Sequence, residues 1–181
     1  PSSIRALDLR NNRLDCHDME ILCQSICKSS IITLNLGLNN IGDHGATVIA
    51  TILLDSACKL EHLDLNCNII GNDGASSLAR SLKTNKAMKR LKISGNLIQN
   101  AGPFCVALES NTTLLILNTE ATDVEHAFIE SLLGRNRAGR RMLQECSLQV
   151  SMWPLVLGRI SNQVDHLFFF CQEKPDLFMK V

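Results

Sequence analysis

Apolar side chains recur along this chain in a fixed order. Leu7 and Leu9 are followed by Asn12 and Leu14, and Leu34 and Leu36 by Asn39 and Ile41. Leu63 and Leu65 are followed by Asn68 and Ile70, and Leu91 and Ile93 by Asn96 and Ile98. A further apolar residue stands three positions ahead of each block, at Ile4, Ile31, Leu60 and Met88. From Leu7, the steps to Leu34, Leu63 and Leu91 are 27, 29 and 28 residues. A period of that length marks a repeat array, in which each unit is one supersecondary piece that cannot bury its apolar face alone.

Within a unit the two leucines stand two apart, so on a strand both point to the same face. The strand is short, and the Asn that follows predicts a bend, because its side chain satisfies backbone groups that leave the sheet ladder. In register, Asn12, Asn39, Asn68 and Asn96 predict an asparagine ladder along the array. After the bend the period changes. Gly45-Ala46 and Gly74-Ala75 share one offset, which Gly102 joins, and glycine there permits tight turning and close packing of the helix on the strand. Leu22 and Ile26, Ile49 and Leu53, and Leu78 and Leu82 are each four apart, which predicts a helix in every unit with one face over the strand leucines. A fifth unit keeps Leu114 and Leu117 but has Thr119 and Thr122 where the others have the next apolar residue and the Asn. Its helix is expected from roughly Val124 to Gly134. A terminal repeat loses one neighbour, so departure from the pattern is expected there.

The pattern L-x-x-L-x-L-x-x-N-x-L in these four blocks resembles the leucine-rich repeat family in its long, ribonuclease-inhibitor-like form. That resemblance implies an α/β solenoid over residues 1–136, with short parallel β-strands on the concave face and α-helices on the convex face. Over residues 137–181 the register is lost, and a helical C-terminal cap is expected. Asn136 to Arg141 reads as a basic loop, and Ser151 and Pro154 suit a helix start. A second short helix is expected from Asn162 to Glu173. Trp153 and four phenylalanines, Phe168, Phe169, Phe170 and Phe178, make this segment an aromatic cover for the open core, or a hook that docks into a partner. Its runs N-R-A-G-R-R, W-P-L-V-L-x-R and K-P-D-L resemble the endings of leucine-rich repeat proteins of diatoms and related algae. At the other end nothing precedes Ile4 to cover Leu7 and Leu9. A preceding segment is therefore expected, or else another chain that covers this edge; the first is in keeping with a start at Pro1-Ser-Ser that has neither an initiator Met nor the features of a signal peptide.

Composition narrows the function. The 181 residues are 45% hydrophobic and 20% charged, which suits a packed core and not a disordered chain. Aromatics are 4% and Tyr is absent, so that core is aliphatic. Eighteen Lys and Arg balance eighteen Asp and Glu, which argues against a protein built to coat nucleic acid or an anionic membrane. No run reaches the roughly 18 apolar residues of a membrane span. The eight cysteines form no C-x-x-C pair, and they are expected as reduced, buried or half-buried side chains in an intracellular reducing compartment. Cys16-His17 is the nearest approach to a metal motif, and it supplies too few ligands for zinc. No phosphate-binding glycine loop, G-x-S-x-G, H-E-x-x-H or Cys–His nucleophile motif is present, so no catalytic, cofactor or metal residue is expected.

The candidate site is the concave face. By alternation, its outward residues are Ala6, Asp8 and Arg10; Thr33, Asn35 and Gly37; His62, Asp64 and Asn66; Arg90, Lys92 and Ser94; Ile116, Asn118 and Glu120. A polar face, acidic early and basic at the fourth repeat, suits a protein ligand read by hydrogen bonds and charge. Asp8, Arg10, Asn35, His62, Asp64, Asn66, Arg90, Lys92, Asn118 and Glu120 are the expected partner-binding residues. Two basic clusters, Lys83/Lys86/Lys89/Arg90/Lys92 and Arg135/Arg137/Arg140/Arg141, lack interleaved aromatics and are expected to be a solvated rim, not a nucleic-acid site. The leading expectation is a non-enzymatic protein–protein interaction module or scaffold, with no small-molecule substrate. The alternative is a regulator of a small GTPase, because the Ran GTPase-activating protein carries this repeat type. A third is a ubiquitin-ligase substrate receptor, because Ser147 to Val156 resembles an elongin-binding box with Met152 in place of its Cys.

Overall fold

The computed structural model describes residues 4–137. The expected C-terminal cap, its aromatic residues, the algal-type ending, the elongin-box-like stretch, Cys146, Cys171, Arg140 and Arg141 lie outside the described residues. Five three-residue strands alternate with five helices: β1 Ala6–Asp8, α1 Cys16–Cys27, β2 Thr33–Asn35, α2 Asp43–Leu54, β3 His62–Asp64, α3 Asn72–Leu82, β4 Arg90–Lys92, α4 Gly102–Ser110, β5 Ile116–Asn118 and α5 Asp123–Arg137. All the strands are parallel and stack in sequence order. Leu7, Leu34, Leu63, Leu91 and Leu117 pair across the sheet in one row, as the period demands. A helix is about 10 Å across, whereas strands pack about 4.8 Å apart, so stacking the two in step bends the array with the sheet inside.

The strand leucines and the helix faces close one aliphatic core. Leu34, Leu36, Leu63, Leu65, Leu91 and Ile93 are buried against Ile49, Leu53, Leu78 and Leu82. Leu7 and Leu9 are only half-buried, because among the described residues β1 has a neighbouring strand on one side alone.

Three of the four asparagines form the expected ladder. Asn68 Oδ1 accepts the Ile41 N–H at 3.0 Å, and its amide nitrogen donates to the Leu65 and Leu36 carbonyls, each at 3.0 Å. Asn96 repeats the set one unit on, with Ile70, Ile93 and Leu65. Asn39 accepts from Asn12 and Leu14 and donates to Leu36 and Leu9. Each ladder residue thus fastens its own turn to the preceding repeat. Asn12 departs from the expectation: it is exposed and its side chain reaches only the Arg10 carbonyl among the described residues, which include no earlier repeat. In the fifth unit Thr122 is not a ladder residue either. It caps α5 reciprocally with Glu125, so this helix starts sooner after its strand than the others do.

A second series of side chains does the same work where helices return to strands. Asn85 donates to the Leu53 carbonyl at 2.7 Å and accepts from the Ala87 and Met88 N–H groups. Asn111 donates to Leu82 and accepts from Thr113 and Leu114, and Asn136 donates to Asn111 and Leu114. All three are buried. Neighbouring repeats also cap one another's helices: Asp43 Oδ1 accepts the Gly71 and Gly74 N–H groups at 2.7 and 2.8 Å, serving the start of α3 from α2.

The shared glycine offset holds for two of its three members. A Cβ on Gly45 would meet Ile41 Cγ2 at 2.8 Å, and one on Gly74 would meet Asp43, Ile70 and Ala46 inside 3 Å. The close approach is therefore to the preceding loop and helix, not to the strand. Gly102 differs, since only the Asn100 side chain comes that near, and it begins its helix where Gly45 and Gly74 sit third in theirs.

The ladder predicts that Asn68→Ala costs about 1–3 kcal/mol by orphaning buried backbone groups, while Asn12→Ala changes stability by less than about 0.5 kcal/mol. Urea denaturation of the two variants beside the parent chain checks both. The Glu125 carboxylate, held below its ordinary value of 4.5 by the Thr122 N–H and then by its hydroxyl, makes a second prediction. Its contribution is present above 4.5 and lost as the pH falls through the lowered folded value. The melting-temperature gap between the parent and Glu125→Gln should therefore be largest at neutral pH and close in acid.

Candidate functional site

The two rows flanking the central leucines carry the candidate site. In one, Ala6, Thr33, His62, Arg90 and Ile116 are neighbours across the sheet; in the other, Asp8, Asn35, Asp64, Lys92 and Asn118. The middle strands bring the expected residues together. Asn35, His62, Asp64, Arg90 and Lys92 line one hollow of about 140 Å³ with Thr33, floored by Leu34 and Leu63. Arg10, Asn35, Asp64, Asn66 and Lys92 line a second of about 210 Å³ just beyond the strand ends. Asp8 stands toward the first edge of the sheet, and Asn118 and Glu120 toward the last, and none of the three lines either hollow. Gly37 lines the second hollow too, as a buried part of its wall, with Asn35 Oδ1 and Asp64 Oδ1 3.3 and 3.5 Å from where a Cβ would stand.

Several of these side chains are also braces. Asp8, Asn35 and Asp64 each accept the backbone N–H two residues on, from Arg10, Gly37 and Asn66, each at 3.0 Å. Such Asx turns end the strands. Lys92 has no acceptor to do this, and Asn66 Oδ1 takes the Ser94 N–H at 2.8 Å in its stead. Asn118 bonds the Ser94 hydroxyl, and the Glu120 carboxylate takes the Gly95 N–H. The turns that follow hold Asn11, Leu38 and Cys67 at φ 59°, 56° and 55°, and Gly95 at 72°. Glycine adopts this left-handed backbone without strain and asparagine tolerates it, whereas Leu38 and Cys67 carry the Cβ penalty.

Charge on the face is partly paired. Lys92 Nζ lies 3.3 Å from Asp64 Oδ2, and Lys89 Nζ lies 2.7 Å from Glu61 Oε2. Glu61 escaped the sequence analysis, although its place just before β3 matches that of Lys89 before β4. Two of the five members of the first basic cluster are thus paired, while Lys83, Lys86 and Arg90 are exposed. The second is described only at Arg135 and Arg137, both in α5, and of these Arg137 alone is exposed. Arg135 is buried, and Arg137 pairs with Glu130 at 2.9 Å and donates to the Leu115 carbonyl.

The six described cysteines are free thiols. Cys67 is exposed, a departure from the buried or half-buried expectation, because it occupies the left-handed turn where the chain leaves β3. Burial pushes the Cys23 thiol up to about 12. The hydrogen bond to Asp55, 3.1 Å from Cys27 Sγ, helps to push Cys27 up to about 11. Neither is the depressed thiol that nucleophilic chemistry requires. Among the described residues no three His, Cys, Asp or Glu side chains are grouped to hold a metal ion, and no helix is long and apolar enough to cross a membrane.

Comparison with known proteins agrees with the repeat. The family model described as Leucine Rich repeat matches residues 28–50 and 56–79. RAN GTPase-activating protein 2 of Arabidopsis thaliana is 29% identical over 102 residues, covering 56% of this chain and 19% of that protein. Ribonuclease inhibitor of Sus scrofa is 29% identical over 131 residues, covering 66% of this chain and 29% of that one. The chain therefore spans less than a third of the length of either relative. Among solved structures, the actin-binding site 2 of leiomodin-1 superposes with a TM-score of 0.70 at 22% identity, over 77% of this chain and 84% of that one, a likeness of fold. The stacked strands, the asparagine ladder and these matches show a leucine-rich repeat solenoid, with repeats similar to those of ribonuclease inhibitor.

Proposed function

We propose that this chain is a protein-interaction module that holds a protein partner on the concave face of its sheet, as a scaffold or as a subunit of a larger assembly. The observation that carries this reading is the division of labour across the sheet. Helices cover one face and complete the core, while the other presents two aligned rows of polar and charged side chains over shallow, open hollows. A face of this kind is too open to enclose a small substrate, and it matches the extended surfaces with which repeat arrays hold other proteins.

Two substitutions test it without dismantling the turns: Asp64→Asn keeps the acceptor for the Asn66 N–H and removes the charge, and Lys92→Glu reverses the neighbouring one. The double variant should bind a partner captured from the native source at least about tenfold more weakly, a loss of about 1.4 kcal/mol. Its melting temperature should stay near that of the parent, since exposed charges contribute little to folding. The control Arg80→Glu, exposed on α3, should bind normally. Equal binding by the double variant, or equal loss in the control, would move the partner off this face.

The similarity to RAN GTPase-activating protein 2 supports a second reading, in which the partner is a small GTPase whose hydrolysis the chain stimulates. Single-turnover GTP hydrolysis by Ran and a panel of other small GTPases, with and without the chain, distinguishes it. An unchanged rate throughout rejects it.

A further inference from the structure

The middle of the concave face is the place where the chain leaves its own polar groups unanswered. Thr33, His62 and Arg90 are neighbours in one row, and Asn35, Asp64 and Lys92 in the next. His62 Nδ1 is buried without a hydrogen-bond partner among the described residues. Arg90 is exposed, and among the described residues nothing bonds to or pairs with its guanidinium. The acceptors nearby are already engaged. Asp64 gives one oxygen to the Asn66 N–H and the other to Lys92, and Asn35 gives its oxygen to the Gly37 N–H.

What remains is rich in donors: the guanidinium fork of Arg90, the unused ammonium protons of Lys92, the amide nitrogen of Asn35 and the Thr33 hydroxyl. The charges bordering the hollow are Arg90 and Lys92 against Asp64, with Lys89 and Glu61 cancelling as a pair at the strand starts. The hollow is therefore net positive by one, on a floor of buried Leu34 and Leu63. A planar guanidinium fork without a partner matches a carboxylate, which it takes with two parallel hydrogen bonds. The hollow is shallow and open, so the carboxylate must arrive on something large enough to lie along the face.

We infer that this hollow seats an Asp or Glu side chain projecting from a protein partner, with Arg90 as its principal contact and Lys92 beside it. The inference rests on the concave-face reading above and adds the chemistry of the contact: the partner presents an acidic segment at the third and fourth repeats.

The test is an NMR titration of the labelled chain with a hexaglutamate peptide, with hexaglutamine and a phosphoserine hexapeptide as comparators. Hexaglutamate should shift the His62 ring and Arg90 side-chain signals saturably, and hexaglutamine should not. Arg90→Gln and Arg90→Glu should each weaken that binding at least about tenfold, while Lys86→Glu, an exposed charge change outside the hollow, leaves it within about twofold. Melting curves confirm that the Arg90 variants remain folded, and two of them guard against one failing. Three results overturn the inference: no saturable shift, equal weakening by Lys86→Glu, or binding of the phosphoserine peptide at Arg90 where hexaglutamate does not bind. If hexaglutamate fails while partner capture still depends on Asp64 and Lys92, the acidic contact falls and the docking face stands. If capture is indifferent to both, the docking face falls too.

Discussion

The turns that leave strands β1 to β4 each depend on a neighbouring repeat for hydrogen bonds of their backbone. The strands are three residues long, so most of each repeat is irregular backbone pressed against an apolar core, where unpaired N–H and C=O groups are costly. The ladder asparagines resolve this by reaching across the repeat boundary. Asn68 joins the Leu36, Ile41 and Leu65 backbones in one side chain, and Asn111 and Asn136 do the corresponding work on the opposite edge. An amide suits the task because it is donor and acceptor on one short stem. Asp43 adds a third boundary contact by capping the next helix. A single repeat removed from the stack would lose partners on both edges and one side of its core, so the array, not the unit, is the stable object.

That arrangement frees the concave face. The backbone is satisfied at the two edges and the leucines fill the interior, so the outward strand positions need only end the strand properly. Asp8, Asn35 and Asp64 do so with one oxygen each. Where the position is Lys92, the brace is borrowed from Asn66 of the preceding repeat. Charge at this column can therefore change sign between repeats without loss of the turn.

The parts of the fold that follow from period alone were legible in the sequence. Leu34, Leu63 and Leu91 lie on adjacent strands because their spacing admits little else, and the helix faces followed from pairs four apart. The rest depends on context that no single residue carries. Asn12 has the motif but no earlier repeat among the described residues to bond. Thr122 occupies the asparagine position but serves the helix after it. The second series escaped notice because its members change identity, with Ser29 and Asp55 accepting backbone N–H groups where Asn85 and Asn111 do so later, outside the apolar pattern. The left-handed turn was hidden because Leu38 and Cys67 are not residues that favour it. At the site, alternation placed the two rows. The pairing of Lys92 with Asp64, the unengaged Arg90 and the orphaned nitrogen of His62 depend on side-chain torsions, and no repeat rule fixes those.

Magnitudes decide where recognition can be written on such a molecule. A fully buried leucine contributes about 1.5–3 kcal/mol, so changes inside the array are felt as lost stability. The Lys92–Asp64 pair is half-buried but still open to water along the face, and a pair of this kind is worth about 0–1 kcal/mol. A partner that draws Lys92 away from Asp64 gives up little. An arginine–carboxylate contact sheltered from water by that partner gains a charge-assisted pair of hydrogen bonds, at about 1.5–3 kcal/mol for a bond to a charged group. The exchange of a wet internal pair for a drier external one favours binding, and the free guanidinium of Arg90 makes it without first breaking a contact of its own. In the proposed mode of docking, specificity therefore follows from which strand positions are left unpaired, among them His62 and Arg90 of the third and fourth repeats.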